Sequence, residues 1–565
     1  MGQPALAITS RRVMHAAAGD RLSWSMVVLA VLDGFVGLTA AAGAATVHTL
    51  PDDIYRYHYL YGPLAPTIGL GLLAAISLFA LYFVVTRGRF AAAISIVAGV
   101  ALVIFELVES FTVGSLLTPP VGLDGSGRAA LWLQPFYVGV GVAMVVLGGR
   151  AASRARRLTR LDAFTGSVAK AAATVLVALT VGAGFFYGWA STSTATSMYA
   201  RFFAWGDGTT YDWSRFPSRP LPASTSPYYF AQAPHQYDLR SATGSANPDQ
   251  FLTNSDSTAL LVIQHGRLVL EQYFNGADRS NMITAFSTTK SWNSALVGAA
   301  IAGGYIRSVD DPVTAYIPEL ARKDPRFGGI TIRMLLEMRS GLGFDGSGLL
   351  ENDDSVLYNT TALRQAVLDR VRIANAPGTV FFYNDFNPLL IGMVLERATG
   401  RTVTQWLDQT LWQPMGAQYP GSFSIDSRTG GFEKMPSGLN GRPIDLMRLG
   451  VLYLNGGSWQ GAQLVPAQWV AETTDPANAT PAMLGLSYTM GWWTRIFDGN
   501  RVYFAWGNHG EYVMVVPSLD IVVGRFGRQY GLGAPAGASG GGTVGHEVWP
   551  QVLARVAATV AASSP

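Results

Sequence analysis

Ser287 and Lys290 stand three residues apart in the run ITAFSTTKSWNSALVGAAIAGG, whose apolar period predicts a buried helix beginning near Phe286. Positions three apart share a helix face, so a hydroxyl and an amine would be in contact. An unprotonated amine can there take the hydroxyl proton and make an alkoxide-like nucleophile near neutral pH. The first helical turn favours an oxyanion through its free N–H groups, and its positive end, like burial, disfavours a charged lysine. Only four of the 40 basic residues are lysines, Lys170, Lys290, Lys323 and Lys434, so the spacing is uncommon by chance. It recurs at Ser167 and Lys170, where a basic loop beside an apolar run explains the lysine without chemistry. Spacing alone leaves Ser287 and Lys290 open between a reactive pair and a solvated helix start.

No metal or cofactor is expected. The chain has no cysteine, and its seven histidines form no His-x-x-x-His pair. That excludes thiolate metal sites, iron–sulfur clusters, disulfides and a cysteine nucleophile. The glycines near residue 540 precede no phosphate-loop lysine.

The elements that must position the pair begin at Thr258, where TALLVI-QHGR-LVLEQYF reads as a hairpin with Gly266 in the turn. Residues 258–565 continue with mixed strands, helices and glycine-rich loops, enough for one large α/β domain or two lobes around a cleft. Residues 191–257 are rich in Ser, Thr, Pro and aromatics without a helical or strand period. They read as a linker that lies along a membrane or wraps the domain.

Four further runs come in order: VDDPVTAYIPELARKDPRFGGITIRMLLEMRSGLGFD, PGTVFFYNDFNPLLIGMVLERATG, GFEKMPSGLNGRPIDLMRLGVLYLNGG and FAWGNHGEYVMVVPSLDIVVGRFG. With the hairpin and Ser287-Thr-Thr-Lys290, they resemble the serine hydrolases of the β-lactamase and penicillin-binding-protein superfamily. The likeness is to the class C-like branch with esterases, D-amino-acid peptidases and 6-aminohexanoate-dimer hydrolase. It covers about residues 258–560 and implies an α/β (α+β) domain with an antiparallel sheet and a helical lobe. It also implies Ser287 as nucleophile, Lys290 as its partner amine, and Tyr383, in the Tyr-x-Asn position, as proton relay. Asp385 stands where that pattern has Asn, and a carboxylate there would hold Lys290 protonated and repel anionic substrates. The family's Lys-Thr-Gly or His-x-Gly strand matches Gly507-Asn508-His509-Gly510-Glu511, without the lysine. Its backbone around Gly510 or Glu511 is expected to give the second oxyanion donor, paired with the Ser287 N–H. His509 either binds substrate or caps a loop. Tyr358 either lines the cleft, as a tyrosine does in the 6-aminohexanoate-dimer hydrolase branch, or packs.

Only 14% of the 565 residues are charged and 49% are apolar, a balance unlike that of a purely soluble enzyme. Five windows, near 24–46, 64–86, 90–109, 129–149 and 169–190, are apolar enough to cross a hydrocarbon core of about 30 Å. Alternate breaks between them carry eleven basic residues on one side and only Arg56 and Arg128 on the other. That asymmetry places the amino terminus in the cytoplasm and residue 191 onward outside it. The expected organisation is therefore a five-span helical bundle (1–190), a linker (191–257) and a β-lactamase-like domain (258–565). Asp33 and Glu106 fall inside the first and third windows, where an ionisable group is a candidate for function. A net charge of +3, with no basic stripe, excludes nucleic acid as a partner. The expected partners are lipid and a small-molecule, short peptide or amide substrate. The leading expectation is a membrane-anchored, extracytoplasmic serine hydrolase that opens amide or ester bonds through an acyl-enzyme. A penicillin-binding or ligand-sensing membrane receptor is the alternative, with a β-lactamase or D,D-peptidase behind it.

Overall fold

The computed structural model describes helical pieces at 27–33, 35–36, 38, 76–78, 80–81, 94–102, 140 and 142–147, then residues 192–205, 208–346, 352–429, 431–528 and 544–563. The chain divides into two compact units, 1–191 and 192–565. In the first, Leu29, Val36, Ala80, Ala98, Leu102 and Met144 are buried against one another. Asp33 is buried with them, and its carboxylate accepts a hydrogen bond of 2.6 Å from the Ser95 hydroxyl, a partner the sequence did not reveal. Among the described residues no helix is long and apolar enough to cross a membrane. The five expected spans lie largely outside those residues, and Glu106 and the Ser167/Lys170 pair lie wholly outside them.

The second unit is built on two main sheets. Their strands in chain order are β1 (Ser218–Leu221), β2 (Ala231–Gln232), β3 (Ser257–Gln264), β4 (Arg267–Tyr273), β5 (Ile283–Thr284), β6 (Gly421–Ser424), β7 (Leu439–Gly441), β8 (Thr480–Pro481), β9 (Ser487–Thr489), β10 (Trp492–Phe497), β11 (Asn500–Gly507), β12 (Glu511–Val516) and β13 (Ile521–Gly527). The larger sheet runs β8-β9-β10-β11-β12-β13-β3-β4-β2, antiparallel except where β2 joins β4. The smaller runs β1-β6-β7-β5. The expected hairpin is β3/β4, and His265 and Gly266 both take positive φ, 49° and 69°, as a two-residue turn matched to strand twist requires.

Every residue of β3 is buried, because both faces of the sheet are covered. Leu260 and Val262 point with Phe504, Met514 and Val523 into a core closed by the carboxyl-terminal helix, whose Trp549, Leu553 and Val556 complete it. Leu261 and Ile263 point with Val513, Val515 and Val522 to the opposite face, where the helical lobe packs. Five helices frame the sheets and the serine: α1 (Met198–Trp205), α2 (Thr289–Ala302), α3 (Asp353–Asn359), α4 (Phe386–Thr399) and α5 (Val544–Ser563). α2 is buried continuously from Thr289 to Ala300, being apolar or small on all sides, and lies between the sheet and α4.

The segment expected to be a linker is folded over most of its length. α1 is fixed by Arg201, 1% exposed, whose guanidinium donates to the carbonyls of Asn359 (3.2 Å), Thr360 (3.0 Å) and Asp426 (2.6 Å). β1 then pairs with β6 from Ser218 to Leu221. These contacts are polar and distant in sequence, which is why no periodic pattern announced them.

Candidate active site

Ser287 sits on a single helical turn, Phe286–Thr288, that joins β5 to α2. Ala285 N–H donates to the Leu439 carbonyl at 2.8 Å, and the Thr288 hydroxyl to the Ala285 carbonyl at 2.8 Å, so the turn is anchored on both sides. Phe286, directly before the serine, has a φ of 45°, a left-handed backbone that costs a bulky residue about 1–3 kcal/mol. Its neighbours are buried, while Ser287 itself is partly open to solvent.

Lys290 lies one turn on, 4% exposed. Its Nζ is 3.0 Å from Ser287 Oγ, 3.1 Å from the Pro436 carbonyl and 3.1 Å from Asp385 Oδ1. An ammonium has three donors, and here it meets three acceptors. Burial alone would lower the lysine, but the Asp385 carboxylate and Tyr383 outweigh it and hold Lys290 above its ordinary value. The amine therefore rests charged, the direction expected of a carboxylate at position 385 and against the pull of burial and of the helix end.

Tyr383 and Asp385 arrive from the loop ahead of α4. Phe382 N–H donates to the Met338 carbonyl at 2.8 Å, and buried Asn384 accepts from Phe386 N–H at 3.2 Å, so the loop is pinned at either end of the pair. Tyr383 packs against Tyr488 and Trp493, with ring centroids 5.9 and 5.7 Å away. Lys290 Nζ is 4.8 Å from its ring centroid, close enough for Tyr383 to help hold the proton on the amine. Asp385 caps a fourteen-residue helix by position, yet its side chain turns to Lys290 instead of the first N–H groups. The helix dipole still favours its negative charge there.

The glycine-bearing strand end reaches the serine differently from the expected way. A Cβ on Gly507, the last residue of β11, would lie 2.6 Å from the Ala285 carbonyl and 3.1 Å from Ser287 N, so only glycine lets the two backbones come this close. Gly510 and Glu511 stand on the return side of the turn, beyond this close approach. The carbonyls of His509 and Gly510 accept from Arg525 at 2.9 and 2.8 Å. The Glu511 side chain is fully buried beside Arg525, and burial pushes its carboxyl well above the usual range.

His509 packs its ring on that of Phe286, centroids 4.8 Å apart, and burial pushes it down to about 4. Of its two readings the structure favours support of the turn. The Tyr358 hydroxyl donates to Asp212, and its ring lies edge-on to Phe216 at 5.4 Å. Its polar end faces the 209–215 turn. Beneath it is Lys434, a residue that spacing and resemblance both leave unremarked: 4% exposed, its ammonium 4.4 Å from the Tyr358 ring centroid and 4.2 Å from that of Phe216. Burial, with the charge of Arg201, lowers Lys434 to about 7. No local motif marks Lys434, whose partners come from stretches far away in the chain, or Asp212, which joins its own turn at Thr209 and Arg215 to distant Tyr358. Among the described residues no cluster of His, Asp or Glu could hold a metal.

The site has recognisable relatives. The family model for Beta-lactamase matches residues 249–535, which include Ser287, Lys290, Tyr358, Tyr383, Asp385 and the 507–511 turn. The chain is similar to 6-aminohexanoate-dimer hydrolase of Paenarthrobacter ureafaciens, 26% identical over 301 residues, 50% of this chain and 75% of that protein. It is also similar to Protein flp of Staphylococcus aureus (strain NCTC 8325 / PS 47), 23% identical over 167 residues, 28% of this chain and 33% of that one. A solved structure described as "Putative 6-aminohexanoate-dimer hydrolase from Bacillus anthracis" shares the fold, with a TM-score of 0.54 at 22% identity, covering 62% of this chain and 93% of that chain.

Proposed function

The chain belongs to the beta-lactamase family, and from that premise we propose that it is a serine hydrolase that opens an amide or ester bond through an acyl-enzyme on Ser287. The observation that carries this reading is the 3.0 Å contact between Lys290 Nζ and Ser287 Oγ, with the Tyr383 ring centroid 4.8 Å from the same Nζ. Because Lys290 rests charged, the base is the Tyr383 phenolate beside that ammonium: it takes the proton as Ser287 attacks and becomes the neutral phenol, while the ammonium stabilises the negative charge shared between the two oxygens. Tyr383 then returns the proton to the leaving amine or alcohol. The oxyanion is held by the Ser287 N–H and by the backbone N–H just after Gly507. Water attacks the acyl-enzyme by the same relay and frees the acid.

Asp385 and the absence of a lysine in the 507–511 turn argue for neutral or cationic substrates over anionic ones. The similarity to 6-aminohexanoate-dimer hydrolase supports an amide. The five apolar windows and their charge asymmetry support membrane anchoring with this domain outside the cytoplasm, which protease protection in sealed vesicles tests. Substituting Ser287→Ala is expected to abolish hydrolysis across a panel of nitrophenyl esters and amides; residual turnover at the wild-type rate would remove the mechanism. One observation favours a second reading, a ligand-sensing receptor: an ammonium locked by Asp385 slows a relay that needs proton mobility. A stable stoichiometric adduct supports that reading, and multiple turnover removes it.

A further inference from the structure

Residues 208–215 precede the stretch that matches the family, yet they hold the nucleophile's turn from the outside. Thr284, three residues before Ser287, is gripped twice by this segment. Its N–H donates to the Thr210 carbonyl at 2.8 Å, and its hydroxyl accepts from Trp213 N–H at 2.9 Å. Phe286, in its left-handed conformation, lies with its ring between His509 and Gly208. A Cβ at position 208 would be 3.3 Å from that ring and 2.7 Å from the Tyr358 hydroxyl, so the segment fits against the turn with no room for a side chain. The 209–215 turn is itself organised by one carboxylate. Asp212, 2% exposed, accepts from Thr209 N–H (3.1 Å), the Thr209 hydroxyl (3.2 Å) and Arg215 (3.0 Å) on one oxygen, and from Tyr358 on the other.

We propose that Asp212 is a positioning residue for the nucleophile, which acts through the 209–213 turn to clamp Thr284 and so keep Phe286 and Ser287 in their strained geometry. A left-handed residue relaxes unless its surroundings over-determine it. Here β7 holds one flank through Leu439, and the clamp holds the other. Asp212 touches no reacting group, so its loss falls on the rate of attack and leaves substrate binding alone. Small displacements of a reacting atom are costly to rate. The proposal rests on Ser287 being the nucleophile.

The test is the second-order rate at which a fluorophosphonate labels Ser287 in the full chain, alongside kcat and KM for a nitrophenyl ester. Thr284→Val keeps the shape and removes the acceptor for Trp213 N–H, whereas Thr284→Ser keeps the acceptor. Thr284→Val and Asp212→Asn are each expected to slow labelling and kcat about tenfold with KM within about twofold. The double variant should be no slower than the slower single, because both break one clamp. Thr284→Ser should label within about twofold of the wild type. Wild-type labelling in a folded Thr284→Val, or equal slowing in a Thr284→Ser that melts like the wild type, overturns the proposal. Failure of the wild-type chain to label at Ser287 is a separate outcome, which overturns the nucleophile reading and this proposal with it.

Discussion

Two lysines are buried in the same domain, each 4% exposed, and their surroundings push them in opposite directions. Lys290 touches the Asp385 carboxylate at 3.1 Å and is held above its ordinary value. Lys434 feels Asp212, Asp426 and Asp385 only from farther off, has the Arg201 guanidinium nearby, and falls to about 7. Direct contact with one carboxylate, helped by Tyr383, thus outweighs burial, and three more distant carboxylates do not. The first lysine is a fixed charge beside the serine. The second is a buried amine under Tyr358, which donates to the Tyr358 carbonyl and otherwise lies against two aromatic faces.

The largest effect is expected at Lys290. Lys290→Met should lower kcat at least about a hundredfold, because the relay loses its charge and Asp385 loses its partner; steady-state hydrolysis of an ester measures it. Asp385→Asn, which removes the contact that separates the two lysines, should let burial dominate and bring Lys290 below its ordinary value. The pH profile of kcat/KM should then gain an ionisation below about pH 10 that the wild type lacks. A profile unchanged by that substitution would break the comparison.

The smallest effect is on stability. Lys434 has a folded value of about 7, below the ordinary 10.5, so between these values the unfolded chain binds the extra proton. Stability from this group therefore rises as pH goes from about 7 toward 10.5. Lys290, held above 10.5, works the other way: its contribution is fully present below 10.5 and is lost only as pH climbs through its folded value. Unfolding midpoints measured from about pH 7 to about pH 10 should rise less steeply in Lys434→Met than in the wild type. Equal slopes would show that Lys434 is charged in the folded protein.

How far each feature could be read from the sequence depends on the reach of the interaction behind it. The β3/β4 hairpin and the Ser287/Lys290 contact depend on residues a few positions apart, and both appear where periodicity and spacing put them. Tyr383 was reachable only through the ordered resemblance, since nothing in YND by itself distinguishes a relay from a packed tyrosine. The resemblance leads to the right strand end, but the close backbone approach at Gly507, at the end of the apolar run FAWG, needed the coordinates, because its partners Ala285 and Ser287 lie far away in the chain. The charge on Lys290 depends on Asp385, distant in the chain, which the resemblance identified as a departure but whose weight against burial needed the 3.1 Å contact. Arg201 and Lys434 carry no local signal because the acceptors and rings they serve lie on other segments, Asp212 none because its bond to Tyr358 does too, and a polar segment held by such bonds looks like a linker.

The most direct test of the central claim is to locate the covalent intermediate by mass spectrometry after exposing the full chain to a slowly released acyl ester. One adduct per chain is expected, on the peptide that carries Ser287, forming at least about a hundredfold more slowly in Tyr383→Phe. An adduct on another residue, or one that forms at the same rate without the phenol, would contradict the account.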